Sequence, residues 1–233
     1  MSPVRRFLKH NGLSLGFGTI FLLALGFQAL TGWQAFNNEE AAHAELVNER
    51  PDPISFGRYL TSSDFGQAVM ENWQSEYLQF SLFILATVWL LQRGSPESKE
   101  LHKAGTDSDE DQLVGRHAKD SSPRWARPGG LRTFLYSNSL LLVMATIFLG
   151  SWFAHSVTGW TDYNAQQVEH EQPQLSWVGY LGSADFWETT LQNWQSEFLA
   201  VGSMAILAVY LRQRGSPESK PVGAPHTATG VEG

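Results

Sequence analysis

The chain contains no cysteine, which rules out disulfides, thiolate metal sites and a cysteine nucleophile and leaves the redox compartment open. It also lacks the compact motifs of common chemistries: no phosphate loop, nucleophile elbow or zinc-binding helix, and no basic stripe interleaved with aromatics. No cofactor, metal or nucleic acid is therefore expected, and no catalytic constellation is recognisable. Histidine lies beside carboxylates at Glu169-His170-Glu171 and at Glu39-Glu40 with His43, and both places read as solvated loop charge. Positive charge is scarce, with 16 Lys and Arg against 23 Asp and Glu for a net charge of -7.

Those averages suit an acidic soluble protein, but the polarity is segregated. Leu13 to Trp33 carries no charge, and Thr133 to His155 none apart from the histidine. Tyr77 to Leu91 and Phe198 to Leu211 are uncharged but shorter. A hydrocarbon core about 30 Å thick needs roughly 20 helical residues. The first and third stretches reach that length unaided, and the second and fourth do so if their helices begin near Asp64 and Asp185. The expectation is four spans, at about 13–33, 70–91, 135–157 and 191–211.

The sequence repeats itself. Gln92-Arg-Gly-Ser-Pro-Glu-Ser-Lys99 recurs letter for letter as Gln213 to Lys220, and Asn72-Trp-Gln-Ser-Glu76 recurs as Asn193 to Glu197. Thr31-Gly-Trp33 returns as Thr158-Gly-Trp160, and Asp64-Phe65 as Asp185-Phe186. A duplication explains this. Residues 1–99 form one membrane hairpin and 134–220 the second, joined by a polar linker at 100–133 and followed by a tail at 221–233, both expected to be disordered. The expected fold is all-α: a four-helix transmembrane bundle of two tandem hairpins related as a parallel repeat.

Arg5, Arg6, Lys9, Arg93, Lys99, Arg124, Arg127, Arg132, Arg212, Arg214 and Lys220 all flank the same ends of the four stretches. The opposite loops hold only Arg50 and Arg58. Positive residues stay inside, so both termini and the linker are expected to be cytoplasmic in a multi-pass protein. Arg5-Arg6 and Ala42-His-Ala44 together resemble an export signal with its cleavage site. That site lies too far beyond the apolar stretch, and the matching stretch of copy two cannot be a leader.

Several ends follow from local chemistry. Trp33, Trp73, Trp160 and Trp194 fall at the outer boundary and Trp89 at the inner one, where indoles anchor in the headgroups. Arg93 and Arg214 suit a helix C-terminus, and Gly94 and Gly215 a left-handed cap. Ser55 to Leu60 and Ser176 to Leu181 predict short serine-capped interfacial helices, with Asp64 and Asp185 capping the long returning ones.

The polar residues inside the spans define the candidate site. Asn72, Ser75, Glu76 and Gln79 share one helical face, expected to point inward, and Asn193, Ser196 and Glu197 repeat it. Gln28 and its counterpart His155 fall at a similar depth. A carboxylate there must be protonated, paired or hydrated. Two readings stand: helix–helix hydrogen bonding with glutamates reaching outward, or a carboxylate pair that binds a proton or cation.

The pattern Arg-Phe-Leu with Asn-Gly-Leu-Ser, then Thr-Gly-Trp, Asn-Trp-Gln-Ser-Glu and Gln-Arg-Gly-Ser-Pro-Glu-Ser-Lys, resembles a family of small bacterial membrane proteins classed as a domain of unknown function. The resemblance covers both copies and implies an inner-membrane protein, with no catalytic residues to carry over. The first functional expectation is a structural or accessory membrane protein whose partners are the bilayer and a second copy or other membrane protein. A proton or small-cation transporter using Glu76 and Glu197 comes next, and an intramembrane enzyme last.

Overall fold

In the computed structural model, which describes residues 2–48, 50–127 and 129–231, the chain is all-helical and no strand occurs among the described residues. It divides into two compact units, 1–68 and 69–233.

The first unit opens with α1 (Pro3–His10), capped by Ser2, whose hydroxyl accepts the Arg5 N–H at 3.3 Å. Asn11 breaks the helix, its side-chain amide donating to the Phe7 carbonyl at 2.8 Å, and α2 (Gly12–Leu46) follows. At 1.5 Å per residue α2 is about 52 Å long. Its C-terminal half holds the next loop: the Trp33 indole N–H donates to the Ile54 carbonyl at 2.7 Å, and Asn37 bonds both backbone groups of Ile54. The first short helix, α3 (Phe56–Tyr59), is capped by Ser55 as expected. Tyr59 packs its hydroxyl against the bare Cα of Gly32, where any Cβ would collide with it. The return helix α4 (Ser63–Ala86) starts here and runs into the second unit.

The second unit repeats these devices. After α5 (Gly130–Ser137), Asn138 makes the same break and the same 2.8 Å bond to Phe134, and α6 (Ser139–Glu169) follows. Trp160 donates to the Leu175 carbonyl at 2.7 Å, and Asn164 bonds both backbone groups of Leu175. The short α7 (Trp177–Leu181) is capped by Ser176, and α8 (Ala184–Tyr210) returns. Trp33 and Trp160 thus direct their N–H groups at loop carbonyls of the protein rather than at headgroups.

Three expectations about helix ends need correction. The long return helices are capped by serines, not by Asp64 and Asp185: Ser62 accepts the Phe65 N–H and Ser183 the Phe186 N–H, each at 3.3 Å. The aspartates lie in the first turn, where their charge faces the positive helix end instead. Gly94 and Gly215 are left-handed, with φ of 86° and 83°, but they lie in separate turns beyond helices that stop at Ala86 and Tyr210. Arg212, rather than Arg214, reaches the last carbonyls of α8, donating to Val209 at 3.1 Å and Leu211 at 2.8 Å.

α2 and α6 are long and apolar enough to cross a membrane. α4 and α8, at 24 and 27 residues, have the length but no comparably apolar window, because the Asn-Trp-Gln-Ser-Glu segments sit inside them. The linker carries two single-turn 3-10 helices, Gly115–His117 and Arg124–Ala126, and local bonds such as Lys99 to Asp107 at 2.8 Å.

Candidate functional site

The inward face of α4 is rotated from the expected one. Gln74 and Ser75 are buried with Val69, Leu78 and Ser81, whereas Asn72 and Glu76 are exposed and Gln79 is half-buried. A step of about 100° per residue means that an error of one or two positions exchanges the buried and open faces. Ser75 donates to the Asn72 carbonyl at 2.9 Å, within its own helix. On α8, Ser196 is exposed and donates to the Asn193 carbonyl at 2.8 Å. Asn193 reaches across to α4, donating to the Glu71 carboxylate at 2.6 Å and to the Thr189 carbonyl at 3.0 Å.

Glu197 is half-buried and close enough to Glu76 to interact with it electrostatically, but the exposure of Glu76 leaves that pair unenclosed. Gln28 is exposed in the first unit. His155 is fully buried in the second.

Around His155 the sequence understated what gathers. Its ring stacks on Phe186 at 5.7 Å between centroids, and Phe186 meets Trp152 at 6.1 Å. Trp152 contacts Trp194 at 6.3 Å and Trp187 at 6.2 Å, and stacks on Phe148 at 5.9 Å. Trp194 then donates its indole N–H to the Gln74 carbonyl oxygen at 2.6 Å. Thr190 lies one turn from both Phe186 and Trp194 on α8, on the face that meets this cluster. Gln74, His155 and Thr190 are each 0 % exposed. The Gln74 Nε2, Trp152 Nε1, Thr190 Oγ1 and both ring nitrogens of His155 are buried without a protein hydrogen-bond partner.

Gln74 was legible only as the middle letter of a repeated motif. Thr190 stands where copy one has Val69, and Trp152 where it has Leu25, so comparing the copies position by position would have marked both. No group of three or more His, Asp or Glu able to hold a metal occurs among the described residues.

One tyrosine in each unit has a raised phenol. Burial first, then the charges of Asp185, Asp162 and Glu71, pushes the Tyr180 phenol up to about 12. Burial and Asp64 raise Tyr59 in the same way.

The second constellation is formed by the identical octapeptides, which fold alike. In each, the serine after glycine donates its N–H to the glutamine carbonyl, at 3.1 Å for Ser95 to Gln92 and 3.2 Å for Ser216 to Gln213. The second serine hydroxyl accepts the glutamine N–H, at 3.0 Å for Ser98 and 2.9 Å for Ser219. Glu97 and Glu218 hydrogen-bond to one another. That contact, ahead of burial and charge repulsion, raises Glu97 to about 7. The tail joins here as well: Gly94 donates to Thr229 Oγ1 at 2.9 Å, Gly230 to the Ser95 carbonyl at 3.0 Å, and Lys220 to the carbonyls of His226 and Ala228 at 2.9 and 3.2 Å.

Compared with known proteins, residues 4–231 match the model of one family, described as a domain of unknown function (DUF6766). No curated protein and no solved structure matches the chain.

Proposed function

We propose, for a chain that belongs to the DUF6766 family, that it is a four-span bacterial inner-membrane protein with a structural or accessory role. The observation that carries this is the apolar surface of α2 and α6. Leu13, Phe17, Ile20, Leu22 and Phe27 on α2 are all more than 60 % exposed, and Leu140, Leu149 and Phe153 on α6 more than half exposed. Surfaces of that extent are unfavourable in water and are matched by lipid tails. α4 and α8 supply the other two spans: about 36 and 40 Å of helix, with Gln74, Ser75 and Thr190 turned away from the surroundings.

On this reading residues 1–99 and 134–220 are the two hairpins, and 100–133 and 221–233 lie in the cytoplasm with both termini. The arginine-rich ends support that orientation. The short α3 and α7 lie at the outer interface, held by Trp33 and Trp160. An accessory role fits a site built of indole, amide and hydroxyl contacts between helices, the kind of bonding that fixes helix pairs in lipid. The partners on this reading are the bilayer and a second copy or another membrane protein.

Proton or small-cation transport through Glu76 and Glu197 is the second reading, favoured by the electrostatic proximity of those two side chains. Proteoliposomes separate the two. The accessory reading expects no proton or alkali-cation flux above that of empty vesicles. A flux present in the wild type and lost in Glu76→Gln with Glu197→Gln would overturn it in favour of transport.

A further inference from the structure

Four buried polar groups on three helices remain without partners although they belong to one contiguous cluster, and their chemistry is specific. The Gln74 amide is oriented by the bond its oxygen accepts from Trp194, so its Nε2 presents two N–H donors on the other side. Trp152 adds one N–H that has no acceptor. A neutral imidazole offers one donor and one lone pair, and a threonine hydroxyl offers both kinds. His155 and Thr190 therefore supply the acceptors that Gln74 and Trp152 lack. Together these donors and acceptors match the hydrogen-bonding capacity of a molecule that accepts two hydrogen bonds and donates two.

We propose that α4, α6 and α8 enclose an internal water site, with Gln74 and Trp152 donating to the water and His155 and Thr190 accepting from it. Nearly all buried polar groups in folded proteins are satisfied, and buried water with two to four partners is the usual means where side chains do not reach each other. The rings of Phe148, Phe186, Trp187 and Trp194 pack around Trp152. A cation does not suit it. None of the four groups is a carboxylate, the nearby Glu71 is bonded to Asn193, and two of the four can only donate toward the guest. The site depends on α8 joining α4 to α6, through Trp194 to Gln74 and to Trp152, not on the membrane reading, so either can fail alone.

X-ray hydroxyl-radical footprinting of the full chain in detergent micelles or lipid nanodiscs tests this, because radicals formed from a bound water oxidise the side chains beside it. His155, with none of its surface open, is expected to be oxidised at a rate comparable with the exposed Trp89. Thr190→Val should reduce that oxidation to background while Thr190→Ser retains it, with Trp89 labelling unchanged as the control for folding. A wild-type His155 that stays unmodified while Trp89 is labelled overturns the proposal. Equal His155 oxidation in Thr190→Val and the wild type, with Trp89 unchanged, overturns it too.

Discussion

Two glycines with the same neighbours in sequence and nearly the same backbone allow a controlled experiment. Gly94 and Gly215 have φ of 86° and 83°, so an alanine at either bears the left-handed penalty of roughly 1–2 kcal/mol. A stiffer unfolded chain offsets that by about 0.4–1 kcal/mol. At Gly215 nothing lies within 4 Å of the added Cβ, so Gly215→Ala should cost only about 1 kcal/mol. At Gly94 the Cβ would collide with the His226 carbonyl oxygen and sit 2.9 Å from Val209 Cγ1. The tail must then lift, and with it go the bonds of Gly94 to Thr229 and of Gly230 to Ser95. Two such bonds contribute about 1–3 kcal/mol together.

Gly94→Ala should therefore raise amide exchange over 226–230 by about ten- to a hundredfold, since roughly 1.4 kcal/mol is a factor of ten. Gly215→Ala should leave that segment unchanged. Hydrogen–deuterium exchange with mass spectrometry of the three proteins in one detergent gives the comparison. Equal exchange over 226–230 in the two variants would refute the reasoning.

Ser183→Ala should cost about 1 kcal/mol through loss of the α8 cap, and Asp185→Asn only a few tenths, measured as midpoints of thermal unfolding; the reverse order would restore the aspartate as cap. Lys220, 1 % exposed, serves carbonyls of the tail, so Lys220→Met should cost about 1–3 kcal/mol and loosen 225–228, whereas Lys99→Met, at a half-buried side chain 30 % exposed, should cost less. Glu97 is raised from 4.5 to about 7 by its contact with Glu218. A raised carboxyl favours the closed contact when protonated, so that contribution is complete below about pH 4.5 and lost as pH rises through about 7. Spin labels at Arg93→Cys and Arg214→Cys should move apart between pH 5 and 8, and Glu218→Gln should remove the dependence; a distance constant over that range contradicts the shared proton.

What could be read from sequence was local or repeated. The duplicated motifs, the serine caps of α3 and α7, and helix starts beside Asp64 and Asp185 depend on short stretches of chain. Periodicity gives the spacing of a face but not the direction it turns, which is set by neighbours distant in sequence. Gln74 is inside and Glu76 outside because Trp194 of α8 takes the glutamine. Depth alone singles out His155, but its stacking on Phe186 requires the loop and α7 to bring α8 back beside α6. The glycines of the octapeptide were recognisable as left-handed, while the seven residues between α4 and Gly94 and the four between α8 and Gly215 were not; in the first copy Thr87 to Trp89 leave the helix by a turn with no strong breaker in it.

The proposed four-span arrangement puts the linker and tail on one side of the lipid, and the absence of cysteine allows a clean measurement of it. Ala104→Cys in the linker and Gln167→Cys in the last turn of α6 are each treated with an impermeant thiol reagent, on intact cells and again after the membrane is opened. Four spans predict that position 167 reacts in intact cells once the outer membrane is permeabilised, and that position 104 reacts only after the inner membrane is opened. The opposite pattern, or recovery of the chain in the membrane-free fraction, contradicts that topology.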